Sequence, residues 1–170
     1  MKKKTCLLLL PVIAILLVIA SCNQSNLASP KGKVNVYTFN QNFIFQAYPA
    51  QTYHNIPLDS ISLGYLDSSL VLVYFQDSAY EGRWYQAPGL GDRNFYLTYS
   101  VQPYPGLATR SILNLTMKSA VGGYNYTGPD ININTVKLVV APGDFFAVHK
   151  KDPVDFSDYY ATMHYFGLKP

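Results

Sequence analysis

The sequence predicts an all-β domain, an antiparallel β-sandwich of about eight strands with a short C-terminal helix. Three observations carry that expectation. In NFYLTYSVQ, Phe95, Leu97, Tyr99 and Val101 alternate with Tyr96, Thr98, Ser100 and Gln102, the two-residue period of a strand with one buried face. Leu70 to Phe75, LVLVYF, is apolar at every position and too short for a typical helix, which suits a strand covered on both faces. Turn-forming pairs recur at short intervals: Asn40-Gln41, Pro88-Gly89, Gly91-Asp92, Pro103 to Gly106, Gly122-Gly123, Gly128 to Asp130 and Pro142-Gly143. No internal repeat of solenoid or propeller length is present.

Taken in order, VNVYTF (34–39) and NFIFQAY (42–48) read as two strands parted by a turn at Asn40-Gln41. TYHNIP (52–57) reads as a third strand, and LDSISLGYL (58–66), with Ile61 and Tyr65 four apart, as a single helical turn. LVLVYF then runs into YFQDSAYEGRWYQAP (74–88), a hairpin that turns through Gln76 to Gly82 and returns through residues 82–87. Strand alternation puts Trp84 and Tyr85 on opposite faces. The expectation is that Trp84 anchors the core beside the central strand and that Arg83 and Tyr85 face outward toward a partner. Beyond Phe95 to Gln102, Leu113, Leu115 and Met117 alternate with Asn114, Thr116 and Lys118, and TVKLVVA (135–141) supplies the last strand. At the C-terminus Ser157 is the expected helix N-cap, Asp158 lies in the first turn, Tyr159, Met163 and Phe166 share a face, and Gly167 takes the C′ position.

The N-terminus has another character. Lys2, Lys3 and Lys4 precede an apolar run from Leu7 to Ala20, the layout of a secretory signal peptide. The run falls short of the roughly 20 apolar residues of a membrane-spanning helix. Ile19-Ala20-Ser21-Cys22 resembles a bacterial lipobox, in which the signal is cut before the cysteine. The resemblance implies lipidation of Cys22 and a lipid bilayer as partner. Each buried methylene contributes about 0.8 kcal/mol, so several acyl chains hold a protein on a membrane without any helix. The expected organisation is a removed signal peptide (1–21), a lipidated cysteine with a flexible tether (22–33), and a β-sandwich domain (34–170).

Cleavage there changes the chemistry that remains. Cys6 leaves with the signal and Cys22 is consumed by lipid, so no thiol remains for a disulfide, a zinc site or a nucleophile. Three of the 13 Lys and Arg residues leave as well, and none of the 10 Asp and Glu, which balances the charge of the remainder. With no basic cluster larger than Lys150-Lys151, the domain has no electrostatic footprint for nucleic acid.

Catalytic and metal patterns are absent from the sequence. His54, His149 and His164 form no metal-binding pair. Asp130 to Asn134 imitates the start of a calcium loop, but Thr135 stands at the glycine position and Ala141 at the glutamate position. Capping and turn roles account for Asp152, Asp155 and Asp158 without a cation. Neither a G-x-S-x-G elbow nor a phosphate-binding loop occurs. The sole glutamate, Glu81, has no defined carboxylate partner for glycoside hydrolysis. The reading is of a non-enzymatic domain with no catalytic residue, no metal and no cofactor.

Aromatic residues are the unusual quantity: 15 Tyr, 9 Phe and 1 Trp, all after the signal. Tyrosine joins a flat apolar face to a polar tip, which serves half-exposed sheet positions and binding surfaces alike. The loop VGGYNYTGPD (121–130) makes Tyr124 and Tyr126 candidate ligand contacts beside Arg83 and Tyr85.

The succession SSLVLVYF, RWYQ, NFYLTYSV, SILNLTM, VKLVVAPG and VDFSDYYATMHYFGLKP is similar to a family of short uncharacterised Bacteroidetes-type lipoproteins with an all-β domain. Some members carry collagen-like Gly-X-Y repeats, which this chain lacks. The resemblance implies a cell-envelope location and hands over no catalytic residue. Asn23 after Cys22 is not the aspartate of inner-membrane retention, which favours the outer membrane, and NQSNLAS lacks an acidic surface-export stretch, which favours its periplasmic face. Asp59-Ser60-Ile61 and Asp77-Ser78-Ala79 resemble the O-glycosylation sequon of such bacteria, making Ser60 and Ser78 candidate sites. Three readings stay open: an interaction domain bound to an envelope protein, a glycan-binding module, and a glycan-acting hydrolase relying on Glu81.

Overall fold

The computed structural model describes residues 32–47, 51–148 and 153–170. The signal segment, Cys22, most of the tether, His149, Lys150-Lys151 and Asp152 lie outside the described residues. The described residues form eight strands: β1 (Asn35–Phe45), β2 (Tyr53–Leu58), β3 (Ser69–Asp77), β4 (Tyr85–Ala87), β5 (Gly89–Leu90), β6 (Phe95–Tyr104), β7 (Leu107–Ser119) and β8 (Ile131–Pro142). They make two antiparallel sheets, β1-β8-β3-β4 and β2-β7-β6-β5, the β-sandwich expected from the alternation. The short helices are α1 (Leu63–Asp67), α2 (Gly143–Val148) and α3 (Tyr159–Tyr165).

The two inner strands of the first sheet, β8 and β3, explain the layering. Val73 and Phe75 of β3, with Val136, Leu138 and Val140 of β8, face the second sheet and meet Leu97, Leu113, Leu115 and Met117. Their neighbours Leu72, Tyr74, Val139 and Ala141 point the other way, into a second apolar cluster closed by Phe145 of α2, Tyr159 and Met163 of α3, and Phe166 at its C-cap. LVLVYF is therefore apolar on both faces because each face has its own cover. Fully burying one such side chain contributes about 1.5–3 kcal/mol, so the helical layer stabilises the fold substantially.

This second cluster corrects the placement of Trp84 and Tyr85. Their faces are opposite, as alternation requires, but exchanged. Trp84 lies outside the inter-sheet core and stacks on Tyr159 at 4.5 Å between ring centroids, beneath the C-terminal helix. Tyr85 turns inward and stacks on Phe75 at 5.4 Å. The outward side of this sheet is not water but a third layer.

Three further boundaries differ from expectation. The two strands expected at 34–39 and 42–48 are one strand, because Asn40-Gln41 belongs to a bulge: Asn40 opposes Thr135 while Phe43 opposes Ile133. Phe39 and Phe43, four residues apart, share the core-facing side of β1, while the core-facing residues of β8 change parity between Ile133 and Val136. Pro142-Gly143 does not simply turn; Pro142 ends β8 and Gly143 opens α2, which buries Phe145. Finally, Asp158 rather than Ser157 caps α3, its carboxylate accepting from the Ala161 amide at 3.0 Å, while the Ser157 amide donates to Asp155. Gly167 does occupy C′ with φ +68, and the Gly167 and Leu168 amides close the helix on the His164 and Met163 carbonyls. One glycine is fixed by crowding: where the chain passes from β4 in one sheet to β5 in the other, a Cβ at Gly89 would collide with the Gln86 carbonyl.

Tyr74 fastens the C-terminal layer. It is fully buried, and its hydroxyl donates to the Phe156 carbonyl at 2.6 Å and lies 2.8 Å from Thr162 Oγ1. Burial, the largest cause, pushes that hydroxyl from the ordinary 10.0 up to about 12. The folded state therefore holds the proton more tightly than the unfolded chain, so this contribution to stability is intact below pH 10.0 and is lost as pH rises toward about 12. Tyr74→Phe is expected to cost about 1 kcal/mol at neutral pH. It should also flatten the fall of Tm with alkaline pH, measured by thermal melts followed by circular dichroism. An unchanged alkaline slope would assign the sensitivity to another tyrosine.

Candidate functional site

Strand directions divide the sandwich into two ends. Residues 32–34 lead into β1 at the end that also holds α1, the β6–β7 turn and the start of α2. Residues 46–47 and 51–52 between β1 and β2, the β3–β4 turn (78–84), the β5–β6 loop (91–94) and the β7–β8 loop (120–130) gather at the opposite end. Most of the contacts expected from the sequence lie here.

A charged fork holds these loops together. Asp77, 0% exposed at the end of β3, accepts from Arg93 Nε at 3.0 Å and from a second guanidinium nitrogen at 2.6 Å. It also accepts from the Ala79 amide at 3.0 Å, and Arg93 reaches on to the Asp130 carbonyl at 3.2 Å. One ion pair thus ties the β3–β4, β5–β6 and β7–β8 connections. The Ala120 amide donates to the Asn94 carbonyl at 3.1 Å, adding a second tie between two of those loops.

The two candidate tyrosines of the β7–β8 loop separate. Tyr124 is 77% exposed next to exposed Val121, and it follows Gly122 and Gly123, both in the left-handed region. Tyr126 is only 4% exposed, its hydroxyl donating to the Pro129 carbonyl at 2.7 Å, and burial raises its pKa. The expectation that Tyr126 is a ligand contact is thereby corrected: it folds back to brace its own loop. Tyr124 remains available.

Arg83 and Tyr85 do come together, through a residue the sequence reading did not select. Asp92 Oδ2 accepts from Arg83 at 2.8 Å and from the Tyr85 hydroxyl at 2.6 Å. The Tyr85 bond, then the Arg83 bond, hold the Asp92 carboxyl below its ordinary value. Burial, then the bond to Asp92, pushes Tyr85 up to about 12. The Arg83 guanidinium also stands 5.8 Å from the Tyr80 ring centroid. The cluster is internally satisfied, and its only sequence signal is the nine-residue spacing across the β4–β5 crossing between the sheets. Tyr85 is not an outward contact, whereas Arg83 is largely exposed.

Other singled-out residues have local roles. His54 Nε2 lies 2.8 Å from the Ile44 carbonyl, and its ring meets Phe43 and Phe45 edge-on, joining β2 to β1. Glu81 is exposed in the β3–β4 turn. Ser60 is exposed after β2, whereas Ser78 is half-buried, its amide donating to the Asn132 carbonyl at 2.9 Å. Among the described residues, no group of three or more His, Cys, Asp and Glu is placed to hold a metal ion. No protein-family model, curated protein or solved structure matches the chain.

Urea denaturation should separate the loop residues. Tyr124→Ala is expected to change stability by less than about 0.5 kcal/mol. Tyr126→Phe should cost about 1 kcal/mol through the lost hydroxyl bond. Asp77→Ala should cost about 3–5 kcal/mol, because it leaves Arg93 without its buried partner. Equal effects of the two tyrosine changes would contradict the division between them.

Proposed function

We propose that the chain is a lipid-anchored lipoprotein of the cell envelope whose β-sandwich is a non-catalytic binding or interaction module. Cys22 is the acylation site in this reading. The bilayer is the outer membrane, with the periplasmic face preferred, and the further partner is a glycan or an envelope protein.

The observation that supports the binding role is the polarity of the sandwich. The chain passes into β1 at one end, and the β3–β4, β5–β6 and β7–β8 connections collect at the other with Val121 and Tyr124 exposed there. A domain tethered through β1 would turn those loops away from a bilayer, and loops on a rigid scaffold are where recognition concentrates. Among the described residues no helix is long and apolar enough to cross a membrane; the proposed anchor is the acylated cysteine of the Ile19-Ala20-Ser21-Cys22 sequence. The hydrolase alternative rests on Glu81 alone, whereas glycoside hydrolysis uses two carboxylates facing one bond. Of the two candidate O-glycosylation sites, Ser60 is the better exposed.

The anchor is tested by expressing the full chain and Cys22→Ser in a Gram-negative host, labelling with palmitate and fractionating the membranes. The wild type should take up label and travel with the outer membrane; Cys22→Ser should lose both. Label retained by Cys22→Ser would overturn the assignment. Crosslinking in intact cells should give a discrete adduct with an envelope partner.

A further inference from the structure

The outward faces of the two sheets differ. That of the first is covered by α2 and α3, whereas the outward positions of β2, β6 and β7 in the second are exposed or half-exposed and, apart from the Pro57–Ile112 pair, carry polar groups. Register aligns them in rows: Tyr53, Thr116 and Thr98 across β2, β7 and β6, then Asn55, Asn114 and Ser100. Tyr96 follows one row nearer the loop end, opposite Lys118.

These side chains are already ordered by one another. Asn114 Nδ2 donates to Asn55 Oδ1 at 2.7 Å, Thr116 Oγ1 donates to Asn114 Oδ1 at 2.8 Å, and Thr98 Oγ1 donates to the Thr116 carbonyl at 3.2 Å. The ladder fixes what remains. Asn55 presents its amide hydrogens, and the Thr116 and Thr98 oxygens present lone pairs. Tyr53 is 56% exposed, and neither its hydroxyl nor that of Tyr96 has a partner among the described residues. Strand spacing and rise put the two tyrosine backbones about 12 Å apart.

We propose that this face binds a neutral glycan chain, with sugar rings on Tyr53 and Tyr96 and sugar hydroxyls on the ladder beside them, Thr116 between the two rings and Asn55 and Asn114 in the next row. The inference rests on the binding-module reading and names its ligand class. A sugar ring combines an apolar C–H face with hydroxyls that both donate and accept, so it needs flat rings beside preset amides and hydroxyls. The two central rows carry no charge; Lys118 lies beyond them at one end and the Arg110–Asp59 pair at the other. That pattern does not match a polyanion, and a protein partner covering these rows would have to match every amide it removed from water. Because the ladder is ordered before binding, little side-chain freedom is lost on complex formation.

The test is affinity electrophoresis of the full chain in detergent through gels containing dextran, mannan, xylan or laminarin, with polygalacturonate and hyaluronan as anionic comparisons. At least one neutral polymer should retard the protein. Tyr53→Ala and Thr116→Val should weaken that retention about tenfold. Tyr160→Ala, on the far side of the sandwich, should not change it. Thr116→Val conserves shape, so the test survives if Tyr53→Ala fails to fold, which melting curves would reveal. Retention by no neutral polymer, retention by the anionic polymers alone, or loss only in Tyr124→Ala would each overturn the inference. If in-cell crosslinking still gives an adduct, the ligand class alone has failed; if it gives none, the binding-module reading fails with it.

Discussion

Everything in this domain depends on β3 and β8 being apolar on both faces. An antiparallel sheet ordinarily turns one face to water. Here Val73 and Phe75 require one cover while Leu72 and Tyr74 require another, and Val139 and Ala141 extend the second demand. The chain meets the first with a second sheet and the second with its own C-terminal segment. The C-terminal helix is consequently a third layer of the fold, and its precise stop at Gly167 matters because Phe166 and Leu168 pack into the same cluster.

A polar consequence follows from that cover. Lys137 sits on the outward face of β8, where a charge would be costly beneath an apolar layer. Its ammonium donates to the Tyr159 hydroxyl and lies 4.7 Å from the Trp84 ring centroid and 4.8 Å from that of Tyr159. Ring faces stabilise a partly desolvated cation. The single tryptophan is thus explained by packing: it closes the margin of the third layer and faces a lysine that has few other partners.

Much of this was legible in the sequence, and the parts that were not share a cause. Alternation in β6 and β7 and the two-sided run of β3 follow from local residue order, as does the glycine stop of α3. The parity of Trp84 and Tyr85 was equally local, but its sign was not, because what covers the outward face arrives some 75 residues later. Asn40-Gln41 has the composition of a turn, and only the register against Thr135 and Ile133 reveals a bulge. Tyr124 and Tyr126 are alike in sequence; a carbonyl three residues ahead, at Pro129, decides which one is buried. The Asp77–Arg93 fork joins charges 16 residues apart that read singly as solvated.

The same limit bears on the open face of the second sheet. Period-two alternation marks Tyr53, Asn55, Thr98, Ser100, Asn114 and Thr116 as outward, and outward positions ordinarily need only be wettable. Water would be satisfied by side chains that rotate freely. Three successive hydrogen bonds instead commit Asn55, Asn114, Thr116 and Thr98 to one arrangement, at a cost in rotamer entropy that solvation alone does not require. The exposed loop tip at Val121 and Tyr124 has the reverse character: greater exposure, and two consecutive left-handed glycines before the aromatic ring. Exposure measures what a partner can reach, whereas prior ordering measures how little it must rearrange. On the second criterion the sheet face, not the loop, is the better-prepared surface.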